Sequence, residues 1–239
     1  NGYHGLVKVH GLYRKPSMTI FKRELPAYWA IALPAILTQV ATPVGNTFVT
    51  STMAQFGDHA VAGWAVIGRL IPVAFGVLFA LSGAVGPILG QNFGAGRFDR
   101  IRTTMRESLK VTLIYVAVTW LILALFRHQV ADIFGAEGQA RELIEFFCVF
   151  ISASFLFNGT LFVANAAFNN LGFAFYSTML NWGRATLGVI PFIWLGARWY
   201  GATGALAGYG LGVVIFGLLG GWLCFRVVNQ LENDASLVK

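Results

Sequence analysis

The 239 residues are 56% hydrophobic and only 11% charged, with a mean hydropathy of +0.66, a balance that excludes an ordinary soluble domain. A net charge of +7 would point to nucleic acid only if the basic residues formed a patch. Here they fall between long apolar runs, where they act as topology signals and lipid-headgroup contacts, so lipid is the expected solvent for most of the chain and no nucleic-acid partner is implied.

In chain order, residues 1–24 form a basic, polar segment, expected to be a cytoplasmic linker. Beyond it, Pro26 to Gly57, Leu70 to Gly96, Val111 to Phe126, Phe146 to Gly183 and Trp199 to Phe225 contain no Asp, Glu, Lys or Arg. A bilayer crossing takes about 20 such residues. The fourth stretch is long enough for two crossings and contains Asn169-Asn170-Leu171-Gly172, a polar, glycine-ended break that turns the chain. Six transmembrane helices are therefore expected at 27–51, 62–90, 104–126, 142–170, 173–199 and 202–227, within a body of 25–228, followed by a cytoplasmic tail at 229–239. The runs are continuous where barrel strands would alternate, so the fold class is all-α, with every backbone group satisfied inside its helix.

Lys and Arg set the orientation. Lys8, Arg14, Lys15, Lys22 and Arg23 precede the first span; Arg97, Arg100, Arg102, Arg106 and Lys110 follow the second; Arg226 and Lys239 close the chain. The other side has only Arg127, Arg141 and Arg198. Both termini are accordingly expected in the cytoplasm. A chain beginning at Asn1 without Met is expected to be a piece of a longer protein.

Between the second and third spans the chain reads GQNFGAGRFDR from Gly90 to Arg100. An apolar helix precedes it and no Gly-Lys-Ser/Thr follows, so neither phosphate-binding glycine motif is present. The reading is structural: Gly90, Gly94 and Gly96 end one helix, and Asp99 caps the next.

Polar residues at membrane depth carry the functional signal. Gln39, Asn46 and Thr50 share one face of the first span, and Asn158 with Asn165 repeats at seven in the fourth, so two polar walls are expected. Packing by interhelical hydrogen bonds is the alternative. Arg184 lies well inside the fifth span and needs a carbonyl, an amide such as Asn181, or a partner lobe; Arg69 lies near a span end and snorkels. The candidate site is thus Gln39, Asn46, Thr50, Asn158, Asn165 and Arg184. Pro34, Pro43, Pro72, Pro87 and Pro191 lie inside spans, where each removes a helix hydrogen bond. Gly204, Gly208 and Gly212, continued by Gly217 and Gly221, are spaced for close helix packing. Phe75, Phe79, Phe155 and Phe162 are read as core or lipid contacts, and Trp64 among the interface anchors.

Enzyme chemistry finds no support: His4, His10, His59 and His128 are scattered, and His128 with Asp132 is too small a set for a metal. Cys148 and Cys224 sit inside spans and are read as apolar side chains rather than a disulfide.

The segments GQNFGAGRFDR, AVAGWAVIGRL (60–70), SGAVGPILG (82–90), ALPAILTQVATPVGN (32–46), FNNLG (168–172) and YGATGALAGYGLG (200–212) resemble the multidrug and toxic compound extrusion (MATE) family of secondary transporters. That resemblance implies one of two homologous six-helix lobes, here the second, with an amino-terminal lobe as partner. It implies a multi-pass protein of the cell (inner) membrane that exports organic cations or amphipathic drugs in exchange for protons or sodium, with no cofactor. Some branches of the family place coupling carboxylates in the first and fourth helices of this lobe. The matching positions here hold neutral residues such as Thr42 and Thr160, and the only acids within the spans, Glu107, Glu142 and Glu145, lie at span ends, so the ion site is expected in the first lobe. Two alternatives stay open: a flippase of the same superfamily for a lipid-linked precursor, and a non-transporting membrane scaffold.

Overall fold

The computed structural model describes residues 17–237, and among these the chain is helical with no strand. Lys8, Arg14, Lys15, Lys239, His4 and His10 lie outside the described residues. The helices are α1 (Met18–Ala54), α2 (Asp58–Gly94), α3 (Phe98–Leu125), α4 (Arg127–Ile133), α5 (Gly138–Phe146), α6 (Phe155–Asn170), α7 (Ala174–Ala185) and α8 (Ile190–Leu237).

Contacts divide the chain after Ile36. In the first unit the described part of α1 pairs Arg23 with Glu24 and sets Tyr28 edge-on to Trp29 at 6.3 Å. The second unit, from Leu37 onward, contains the core and the polar cavity. There α1 runs along α7: the Leu37 carbonyl accepts from Trp182, Thr38 bonds Thr178, and Gly45 faces Ala185. Pairs with a near-constant offset in sequence mean that these two segments are parallel.

The spans expected at 27–51, 62–90 and 202–227 each fall within one helix, and the helices run further. α1 starts at Met18, ahead of the span expected from residue 27, and α8 continues through the expected tail to Leu237. Hydropathy marks only what crosses hydrocarbon, whereas Asn229, Gln230 and Glu232 continue a helix at no cost in the headgroup region. The third connection is also more ordered than expected, since α4 occupies part of it. Asp99 is not the cap of α3: Arg97 holds that position, and Asp99 sits in the first turn, where its charge favours the helix dipole and meets Arg97 at 3.4 Å.

Gly96 does end α2. Its φ of +66° lets its N–H reach the Phe93 carbonyl and that of Arg97 reach Asn92, the paired bonds of a Schellman turn. The same pattern at Gly172, with Phe173 bonding the Phe168 carbonyl, realises the expected break after Asn170. Gly90 and Gly94 stay inside the helix.

Two irregularities were not expected. The span at 142–170 is interrupted by a π turn at Phe147–Ile151 and a 3-10 turn at Ser152–Ser154. A π turn takes in one extra residue, so α6 presents a different face from α5. The span at 173–199 breaks over residues 186–189, just ahead of Pro191, which lacks the N–H that would bond back four residues.

α8 is a hairpin, with non-helical dihedrals at Tyr200 and Gly201. A methyl group on Gly196 would overlap the Gly204 carbonyl, one on Gly208 the Phe192 carbonyl, and one on Gly212 the Gly188 carbonyl. These pairs are symmetric about residue 200, so residues 190–199 and 202–212 lie antiparallel with their backbones touching. Further along, Gly217 lies against the Phe157 carbonyl and Gly221 against the Thr160 methyl, seating the second arm on α6. α6 is thereby central, packed on α2, α3, α7 and α8.

The two ends of the bundle differ in charge. Arg102 of α3 bonds Asn229 and Glu232 of α8, which puts the basic connection and the end of α8 at the same end. Gly201 lies beside Phe56, and Gly63 of α2 beside Ala140 of α5, at the other. There His128 bonds Glu145 and Arg141 bonds both Asp132 and Glu145, so His128 and Asp132 each pair with α5 rather than with each other.

Four stretches among the described residues, Asp58–Gly94, Phe98–Leu125, Gly138–Asn170 and Ala174–Ala235, are long and apolar enough to cross a membrane; the last carries two of the expected spans, folded at Tyr200. The most apolar windows of α2 and α3 bury only 17% and 22% of their residues within the protein. Val73, Ile114, Leu121 and Leu125 point outward, so lipid must cover them.

The hairpin contact makes a direct prediction. Gly212→Ala, like Gly208→Ala, should destabilise the protein by about 1–3 kcal/mol through overpacking. Gly76→Ala, with open space around it, should be neutral or stabilising, since alanine is the better helix former by up to about 1 kcal/mol. Thermal unfolding in detergent tests this, and equal midpoints for Gly212→Ala and the parent would contradict the contact.

Candidate binding cavity

Helical periodicity aims one polar face of each of three helices at a common centre. On α6, Phe155, Asn158, Phe162, Asn165 and Asn169 recur every three or four residues, and so do Ser177, Asn181 and Arg184 on α7. α1 contributes Thr38, Gln39, Thr42 and Asn46. With Trp64, Phe79 and Ser82 of α2 and Tyr209 of α8, these residues enclose a cavity of about 400 Å³.

Five of the six candidate residues, Gln39, Asn46, Asn158, Asn165 and Arg184, line this cavity. Thr50 does not. It lies one turn further along α1, facing a shallow groove with Pro43 and Thr47. Its hydroxyl donates to the Asn46 carbonyl and accepts from Trp64 Nε1 at 3.2 Å, so it holds a cavity residue in place.

Several lining residues differ from their sequence reading. Phe79, Phe155 and Phe162 line the cavity; only Phe75 is purely core, stacked on Phe155 at 4.1 Å. Trp64 is not an interface anchor but 7% exposed, edge-on to Tyr209 at 5.5 Å. Asn169, assigned to the turn, lines the cavity as well, while Asn170 packs on Gly86. Thr160 bonds the Leu156 carbonyl and faces α8, so of the two neutral threonines only Thr42 reaches the cavity. The signal for the aromatic residues was present: Phe155 and Phe162 sit on the same heptad face as Asn158 and Asn165.

The polar groups are only partly satisfied. Asn158 Oδ1, Asn165 Oδ1 and Ser177 Oγ are buried without a partner among the described residues. Arg184 is 7% exposed; its Nη2 donates to Thr42 Oγ1 at 3.1 Å, the Tyr209 phenol lies beside it, and Nε has no partner. Asn181, an expected partner of Arg184, bonds the Ser177 carbonyl of its own helix instead. Buried groups of this kind cost free energy unless water or a polar solute completes them, so the cavity wall is left with unused hydrogen-bonding capacity.

A helical bundle that is apolar outside, with amides and aromatic rings converging inside, is the build of a multi-pass membrane transporter lobe. The MatE family model matches residues 34–195. The chain belongs to that family.

It is 32% identical to an uncharacterised 21 kDa protein from the iaaL 5′ region of Pseudomonas savastanoi, over 98% of this chain and 76% of that protein. It is 27% identical to an FAD transporter of Shewanella oneidensis, over 97% of this chain and 50% of the relative. A multidrug export protein, MepA, of Staphylococcus haemolyticus is 23% identical over 91% of this chain and 48% of its own length. Among solved structures, the Vibrio cholerae MATE transporter VcmN in its bent form superposes with a TM-score of 0.82 at 26% identity, covering 89% of this chain and 48% of that one. The chain thus spans about half the length of these transporters.

Removing the acceptor of Arg184 tests the geometry. Thr42→Val should cost about 1–3 kcal/mol, because a buried charged donor loses its partner. Thr47→Val, whose hydroxyl returns to the Pro43 carbonyl of its own helix, should stay within about 0.5 kcal/mol of the parent. Unfolding in detergent separates them; equal midpoints would mean that Thr42 does not hold the guanidinium.

Proposed function

We propose that this chain is the carboxy-terminal lobe of a secondary antiporter that exports amphipathic organic compounds across the cell membrane by alternating access. The observation that carries the reading is the cavity: amides, hydroxyls and aromatic rings converge inside a bundle whose outer surface is lipid-facing. Membership of the MatE family and the likeness to a multidrug export protein and an FAD transporter support transport over a packing role for these polar residues. Two lobes, each with such a wall, would share one solute between them and expose it to either side by rocking.

Both termini of this lobe lie in the cytoplasm in this reading, with the basic end of the bundle, around Arg97 to Lys110 and Arg226, at the inner leaflet. The driving ion is a proton or sodium held mainly by carboxylates of the other lobe. Support comes from the wall itself, where no Asp or Glu is found among the described lining residues.

The test uses the complete protein in proteoliposomes. Gln39→Ala and Asn46→Ala should each raise the KM for a transported solute, ethidium or FAD, about three- to thirty-fold, equivalent to about 0.7–2 kcal/mol of lost binding. Dependence on the proton or sodium gradient should stay unchanged. Loss of ion coupling with an unaltered KM would contradict the division of labour between the lobes.

A further inference from the structure

Cavity charge sets the direction of selectivity. Of the residues that line it, Arg184 alone carries a formal charge, and among the described residues no carboxylate pairs with it. Its hydrogen-bond partner is neutral, the Thr42 hydroxyl, and the neighbouring Tyr209 phenol is neutral as well. Thr42 satisfies one donor, Nε stays unpartnered, and the charge is uncompensated in a low-dielectric wall, where an oppositely charged ligand group gains most.

We propose that this cavity binds organic anions, with a carboxylate or phosphate of the ligand paired to Arg184 and an aromatic ring system laid along the Trp64–Tyr209 side. This rests on the transporter reading above and narrows its substrate class. A guanidinium offers a planar fork of donors that matches either anion bidentately. Ring recognition follows from the neighbours: Trp64 is held edge-on to Tyr209 by its bond to Thr50, and Phe79 and Phe162 form a tilted pair with centroids 4.8 Å apart. The buried oxygens of Asn158 and Asn165 are acceptors without donors, which suits a heterocycle with N–H groups rather than a hydrocarbon ring. An organic cation, in contrast, meets no carboxylate here and one repelling guanidinium.

Riboflavin and its 5′-phosphate share one ring system and differ by the anion, folate joins glutamate carboxylates to a different N–H-bearing ring, and ethidium is an aromatic cation. Transport of the four is measured with the complete protein in proteoliposomes, for the parent, Arg184→Gln and Arg184→Lys. The parent should show a KM for riboflavin 5′-phosphate at least ten-fold below that for riboflavin. Arg184→Gln should abolish that ratio by raising the phosphate KM, Arg184→Lys should keep part of it, and ethidium should be unaffected or improved by Arg184→Gln. Saturable uptake of folate alone would assign the guanidinium to carboxylates; uptake of the flavin phosphate alone would assign it to phosphates.

A parent that does not distinguish riboflavin from its phosphate, and does not saturate with folate, overturns the assignment whether or not the variants fold. An anion preference that survives Arg184→Gln also overturns it, as expected if a carboxylate of the other lobe neutralises this arginine. Ethidium flux without anion flux overturns the inference and leaves transport standing, whereas no flux of any of the four overturns both.

Discussion

Backbone against backbone is the contact on which this lobe depends. Within lipid, no hydrophobic force draws helices together, and close van der Waals approach must supply the association. The hairpin of α8 achieves it by placing Gly196, Gly204, Gly208 and Gly212 where any side chain would strike a carbonyl. Gly217 and Gly221 then let the same helix settle on Phe157 and Thr160 of α6. With α8 pressed onto its back, α6 is fixed in rotation as well as position. Its front face, from Phe155 to Asn169, is turned to the cavity and to Phe75 and Phe79 of α2.

That rotation has a second determinant at the start of α6. The π turn at Phe147–Ile151 takes in one more residue than an α-turn, so the core face of α5, with Leu143 and Ile144, is not continued along α6. Trp120 donates to the Val149 carbonyl within this turn at 2.7 Å. Polar side chains that would be expelled from a lipid-facing position are thereby gathered on one internal surface. Arg184 is the extreme case, because its charge is buried with the neutral Thr42 hydroxyl as its hydrogen-bond partner.

The sequence carried the large features because lipid imposes them. Long charge-free runs, the Asn170-Leu171-Gly172 break and the Gly-x-x-x-Gly spacing each reflect a single local constraint, and each reappears in the structure. The asparagines and Arg184 were legible for the same reason, since amides and cations are costly at that depth. What escaped was anything set by the relative rotation of helices. Trp64 reads as an interface anchor, and only its pairing with Tyr209 and Thr50 shows it as a cavity wall. The π turn leaves no compositional trace in FCVFI, and Thr50 misses the cavity because the wall ends a turn before it.

In this reading one internal face of the lobe is wet while the outer apolar surface is in lipid. Cysteine labelling measures this most directly. In the complete protein, with Cys148 and Cys224 replaced, single cysteines at Gln39, Asn46 or Asn165 are exposed to a small membrane-impermeant maleimide and compared with cysteines at Leu121 or Leu125. Reaction at the first three and none at the last two is the predicted result, because the reagent attacks a hydrated thiolate. Equal silence at all five, or labelling of Leu121 and Leu125 as fast as of Asn165, would contradict a wet internal face.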